Sequence, residues 1–169
     1  MGNFIYNDSF MQGEDKIASL ESIEEGFPLN VCMEEGSSLD LKEGDECELV
    51  NLSGVAGNMS FFDSSDEYYK TNPRLADCAM IPCGTFPANK EDDEFEPSPT
   101  IIFTGKVLDT DIDPEAGDWP NCMAEVETYG FTISLYWHDD EKKLPKVGGV
   151  MKGQAWIYAD VVRCAKDSI

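Results

Sequence analysis

Residues 122–137 constrain the fold more tightly than any other stretch of the chain. Cys122, Ala124 and Val126 alternate with Met123, Glu125 and Glu127, and Phe131, Ile133, Leu135 and Trp137 alternate with Thr132, Ser134, Tyr136 and then His138. A period of two places each apolar set on one side of an extended strand. Tyr129-Gly130, between the two runs, supplies the reversal of a hairpin. A hairpin with one apolar face is stable only when more sheet covers that face, so a mainly β protein is expected.

The neighbouring segments extend this pattern. Residues 101–108 read as a strand whose internal Gly105 predicts a bulge or a sharp bend. Residues 147–162 supply one long bent strand or two short ones around Gly153. Upstream, residues 29–33, 47–52, 59–62 and 78–82 read as strands, with turns at Gly36, Gly44, Gly54 and Gly57. Two short helices are expected. Residues 14–25 carry Ile17, Leu20 and Ile23 at three-residue spacing behind an acidic first turn, with Gly26 and Pro28 as stop signals. Ser64-Ser65-Asp66-Glu67 has the form of a capping box and predicts a brief helix through Tyr68 and Tyr69 before Pro73.

Charge divides the chain. Its 169 residues hold 34 Asp and Glu against 12 Lys and Arg, a net −22. Residues 1–97 hold 22 acids and 5 bases (net −17), and residues 98–169 hold 12 and 7 (net −5). The charge run and two prolines at 90–99 predict an exposed extended connection. The expected organisation is therefore an acidic, β-rich part over 1–97 and a second part over 98–169, either as two domains or as one continuous domain. An apolar content of 41% is too high for wholesale disorder. No run of apolar residues reaches the ~18 needed to span a membrane, and residues 1–10 lack the charged and apolar regions of a secretory signal. A soluble, cytoplasmic protein is expected, with no membrane partner and with its six cysteines reduced.

A strand with a central glycine at 103–107, the hairpin of 122–137, and then Val147-Gly148-Gly149-Val150-Met151-Lys152-Gly153-Gln154-Ala155-Trp156-Ile157 together resemble an OB-fold, the small antiparallel Greek-key barrel. The resemblance covers less than half of the chain. It implies an OB-like barrel in the second part and a ligand face on its second and third strands, for which Tyr129, Tyr136, Trp119 and Trp156 are candidate stacking residues. Glu125 and Glu127 on the solvent side of the hairpin oppose phosphate. A single-stranded nucleic-acid-binding OB domain is thus disfavoured by charge, the nearest basic cluster being Lys142, Lys143 and Lys146. Tyr68, Tyr69 and Phe95 are further candidate anchors for a protein partner.

Chemistry-bearing motifs are incomplete. Asp109, Asp111, Asp113 and Asp118 are spaced like the opening of a calcium loop, but Pro114 and Pro120 stand where an EF-hand needs Gly and Glu. An irregular Ca2+ site is the one cofactor expectation; with Trp119 it would suit a cation-dependent carbohydrate- or small-ligand-binding module or an enzyme. His138, the single histidine, is the sole conventional base and has Asp139 and Asp140 beside it, but no nucleophile elbow accompanies it. Cys78, Cys83 and Cys122 lack zinc-knuckle spacing. With no complete catalytic signature, the leading expectation is a non-enzymatic acidic interaction protein that recognises a basic protein partner.

Overall fold

The structure is a computed structural model that describes residues 3–85 and 96–165. Phe95 and most of the acidic connection at 90–99 lie outside the described residues. The protein is mainly β. In order come β1 (Phe4–Gln12), β2 (Asp15–Ser22), β3 (Pro28–Met33), β4 (Glu46–Phe62), the helix α1 (Ser65–Thr71), β5 (Ala79–Ile81), β6 (Thr100–Ile112), β7 (Cys122–Thr128), β8 (Phe131–Trp137) and β9 (Val150–Arg163).

These elements form two compact units. Unit 1 comprises residues 1–52, 82–100 and 156–169; unit 2 comprises 53–81 and 101–155. The chain thus enters unit 1 three times, whereas charge alone suggested a single break at residue 97. The division falls inside β4 and inside β9, so each of these long strands serves both units.

In unit 1, β1 pairs antiparallel with β2, and β2 with β3. β3 runs parallel to the second half of β9, with Cys32 opposite Tyr158. β9 neighbours β4, where Asn51 Nδ2 donates to Asp160 Oδ2 at 3.1 Å. β4 returns to β1 through Phe4↔Cys47 and Ile5↔Glu46. Five strands therefore pair in a closed cycle around Phe4, Ile17, Leu20, Leu29, Val31, Ile157 and Val161, all buried.

Unit 2 repeats the plan. β6 pairs with β7, β7 with β8, and β8 runs parallel to the second half of β4 through Ser53↔Ser134 and Val55↔Tyr136. β4 neighbours β9, which pairs back to β6. The correspondence extends to single hydrogen bonds. In unit 1 Gly44 N donates to Tyr6 O (2.8 Å), Tyr6 N to Asp45 O (2.8 Å) and Asp45 N to Lys42 O (3.0 Å); in unit 2 Gly148 N donates to Val107 O (2.8 Å), Val107 N to Gly149 O (3.0 Å) and Gly149 N to Lys146 O (2.9 Å). Gly44 and Gly148 share a left-handed φ of 91° and 87°, which only glycine adopts without strain. The first strand of each unit breaks register at the same place, between Tyr6 and Asp8 and between Val107 and Asp109. Each bulge is held by an aspartate whose Oδ1 accepts the next backbone N–H, Ser9 N on Asp8 and Thr110 N on Asp109.

Several expectations are corrected. Residues 14–25 form no helix: Gly13 at φ 64° turns the chain between β1 and β2, and β2 buries Ile17, Ala18, Leu20 and Ser22 while Ile23 is exposed. The three-residue spacing of Ile17, Leu20 and Ile23 is that of two buried strand residues and one exposed turn residue rather than of one helical face. Gly54 and Gly57 are not turns. They lie inside β4, a single strand of 17 residues in which Asn51 and Asn58 take up positive φ (56° and 50°) without ending it. Residues 150–163 are likewise one strand. Ser64 caps the helix, its Oγ accepting from Glu67 N, while Glu67 Oε2 reaches back past the cap residue to accept from Asp63 N. α1 is the one helix among the described residues.

Gly105 in β6 marks a close approach to β7, with the bulge two residues later. A Cβ there would collide with Val126 Cγ1 and lie 2.6 Å from Glu127 O, whereas at Gly57 it would meet nothing within 4 Å. In urea denaturation, Gly105→Ala is expected to cost about 1–3 kcal/mol through overpacking. Gly57→Ala should change stability by less than about 0.5 kcal/mol. Equal losses at both sites would contradict this packing.

Candidate functional site

The most distinctive exposed surface in unit 2 is the outer face of β4, β8, β7 and β6. It arises directly from the period-two pattern: Ala124, Val126, Ile133 and Leu135 turn inward and are buried, which leaves the intervening residues outside. Register aligns these residues in rows. Val55 lies opposite Tyr136, Tyr136 opposite Met123 and Met123 opposite Asp111. The next row is Ser53, Ser134, Glu125 and Asp109, and the third pairs Thr132 with Glu127 and Glu127 with Lys106. An apolar row, in which Val55 and Tyr136 are 48% and 41% exposed, therefore runs beside four carboxylates and a single cation.

One end of this face carries a braced loop. Residues 113–121 connect β6 to β7 and close on a backbone bond from Asp113 N to Asn121 O. Asn121 is buried, with its carboxamide satisfied from both sides: Nδ2 donates to Asp139 O and Oδ1 accepts from Asp139 N, each at 2.9 Å. His138 adds a second brace, with Nδ1 3.3 Å from Trp119 O and Nε2 2.9 Å from Asp140 Oδ1. Both partners are acceptors, so the imidazolium, which donates from both nitrogens, suits the site best. The hydrogen bond to Asp140, then that to Trp119 O, holds the His138 pKa above its ordinary 6.5. The histidine thus acts as a clamp, with no ring nitrogen left over for a base. It leaves Trp119 78% exposed.

The other sequence-derived candidates are dispersed. Tyr129 sits at φ 29° in the hairpin turn, seven residues from Tyr136 and thus roughly 23 Å along the strand. Trp156 is half-buried in unit 1. Its indole N–H is buried without a nitrogen or oxygen acceptor, and it points to Cys32, where it favours the thiolate. Tyr68 is not an exposed anchor: it is buried, its hydroxyl donates to Ala76 O at 3.0 Å, and its ring meets Phe62 and Tyr69 edge-on. Tyr69 is partly exposed on α1.

The acidic loop does not gather into a metal site. Asp109, Asp111 and Asp113 each use Oδ1 to accept a nearby backbone N–H, from Thr110, Ile112 and Glu115 respectively. Asp118 adds no converging ligand: no three His, Cys, Asp or Glu side chains among the described residues form a group that could hold a metal ion. Asp109 and Asp111 instead belong to the carboxylate side of the sheet face. Their spacing of two, first read as a ligand pattern, is the spacing of strand residues on one side.

All six cysteines are free. Burial pushes the Cys32 thiol up to about 11, with Asp15 and Glu34 adding to the effect, and the Cys47 thiol up to about 12. Such thiols are protonated at neutral pH and unsuited to nucleophilic work. No protein-family model, curated protein or solved structure matches the chain.

The clamp is pH-dependent. A raised histidine pKa contributes stability below pH 6.5 that is lost as pH rises through the folded value. In NMR titrations the His138 pKa should therefore exceed 6.5 and fall towards it in Asp140→Asn, with the Trp119 indole resonance shifting over the same pH range as His138. An Asp140→Asn titration identical to that of the unaltered protein would contradict the clamp.

Proposed function

We propose that this chain is a non-enzymatic interaction protein, and that the outer face of β4, β8, β7 and β6 receives an extended basic segment of a protein partner. The observation that carries the reading is the adjacency of an apolar row, Val55, Tyr136 and Met123, to the carboxylates of Asp109, Asp111, Glu125 and Glu127. A strand-like segment with apolar residues alternating with Lys or Arg matches both rows at once. Apolar contacts supply affinity, and the carboxylates supply selection and approach rate.

Charge at longer range favours the same partner class. Unit 1 holds 20 acids and 5 bases (net −15) and unit 2 holds 14 and 7 (net −7). Arg163, one of the few cations of unit 1, is already paired with Asp40 and Asp45. The resulting field raises the encounter rate of cationic partners and opposes phosphate backbones, most strongly at low salt. The reading also draws on the OB-fold resemblance. We take both five-stranded cycles, each with one parallel pair, as variants of that barrel, in which the second and third strands form the ligand face. In unit 2 these are β7 and β8.

The test is an amide-resolved NMR titration of the whole protein with three probes: an eight-residue peptide alternating Arg with Val, its Glu-for-Arg counterpart, and a single-stranded oligothymidylate. The basic peptide is expected to shift Val55, Met123, Ser134 and Tyr136, to weaken at least tenfold in Tyr136→Ala or in the double variant Asp109→Lys, Glu125→Lys, and to weaken as salt is raised. Preferential binding of the oligonucleotide or the acidic peptide, or shifts spread without focus, would overturn the reading.

A further inference from the structure

A second surface in unit 2 is chemically unlike the rest of the molecule. A cavity of about 340 Å³ opens beside the short edge strand β5. This lies near the lower end of the ~300–1,000 Å³ range of small-molecule sites. Leu75, Ile81 and Ile102 line it and remain 57%, 56% and 40% exposed, a concentration of uncovered aliphatic surface in one concavity. Tyr68 lies beneath, its hydroxyl tied to Ala76 O, so that side of the cavity is fixed before any ligand arrives.

Its electrostatics run against the chain as a whole. No Asp or Glu lines the cavity, although unit 2 has twice as many acids as bases. The one ionisable cation in its wall is Lys152, which is half-buried. Its Nζ meets a neutral acceptor, Asn72 Oδ1 at 3.4 Å, and it takes part in none of the ion pairs among the described residues. An ammonium held at an apolar surface without a carboxylate is an incomplete pair, and an anion completes it at small desolvation cost.

We infer that this cavity is a binding site for a small amphipathic monocarboxylate, its apolar body on Leu75, Ile81 and Ile102 and its carboxylate on Lys152. One point-charge cation balances one negative charge. A phosphate would bring nearly two charges to a single lysine within a strongly negative protein, and no arginine fork lines the cavity. This site shares no named residue with the proposed peptide face, so each can fail independently.

Decanoate, decylamine and decanol are the probes, titrated into the full chain by calorimetry and amide-resolved NMR. Decanoate is expected to bind saturably below millimolar, with shifts focused on Ala79, Ile81, Ile102 and Thr104. Lys152→Met keeps the aliphatic stem and should weaken it at least tenfold, and Ile102→Ser should weaken all three probes. Unchanged decanoate affinity in Lys152→Met would overturn the proposal, provided its denaturation midpoint matches that of the unaltered protein; so would equal or tighter binding of decylamine. Absence of saturable decanoate binding, or displacement of the focused shifts to other residues, would overturn it as well.

Discussion

The structure depends on two long strands that each work twice. β4 contributes its first residues to the five-stranded cycle of unit 1 and the remainder to that of unit 2, and β9 does the reverse. A five-stranded cycle lacking one member exposes two rows of unpaired backbone donors and acceptors. Each unit obtains its closing strand by continuation of a strand whose first half is already paired in the other unit. The repeated Lys-x-Gly turn before each long strand, with Gly44 and Gly148 in the same left-handed conformation and bonded to equivalent residues of β1 and β6, sets the register from which that continuation proceeds.

How much of this was readable in the sequence depended on where side chains, rather than backbone, carry the information. The β7–β8 hairpin was legible to the residue because one face is buried and the other is not. β2 was misread because Ile17 and Ala18 are both buried, which breaks the alternation. β4 was fragmented because Gly54, Gly57 and two asparagines at positive φ carry turn signals, and only pairing on both sides reveals that the strand continues. The internal correspondence was invisible for a related reason. Tyr6 and Val107, register partners of Leu20 and Val126, share position and backbone hydrogen bonds but not side-chain chemistry, since a ladder is built from backbone groups that every residue except proline supplies.

The candidate face shows the same division. Tyr136, Glu125 and Glu127 were placed on the solvent side by parity, whereas Trp119 was singled out only as a candidate stacking residue. Val55 was missed because its neighbours looked like a turn. Asn121 was missed because a buried asparagine that braces a loop has no local signature. Asp109 and Asp111 were noticed for their spacing; on β6 that spacing puts alternate acids in a charged stripe, with Oδ1 of each bonded to a neighbouring backbone N–H. The excess of acid constrains partners and leaves the fold undetermined. It also gives significance to an apolar concavity whose wall contains a lysine and no acid.

Because β4 and β9 each pass from one unit into the other, unfolding of the two cycles is expected to be coupled. Urea titration of the whole protein, followed at the buried and equivalent amides of Leu20 in unit 1 and Val126 in unit 2, tests it most directly. A single midpoint shared by both amides is expected. Two well-separated midpoints, with one unit retaining its native resonances after the other has unfolded, would contradict it.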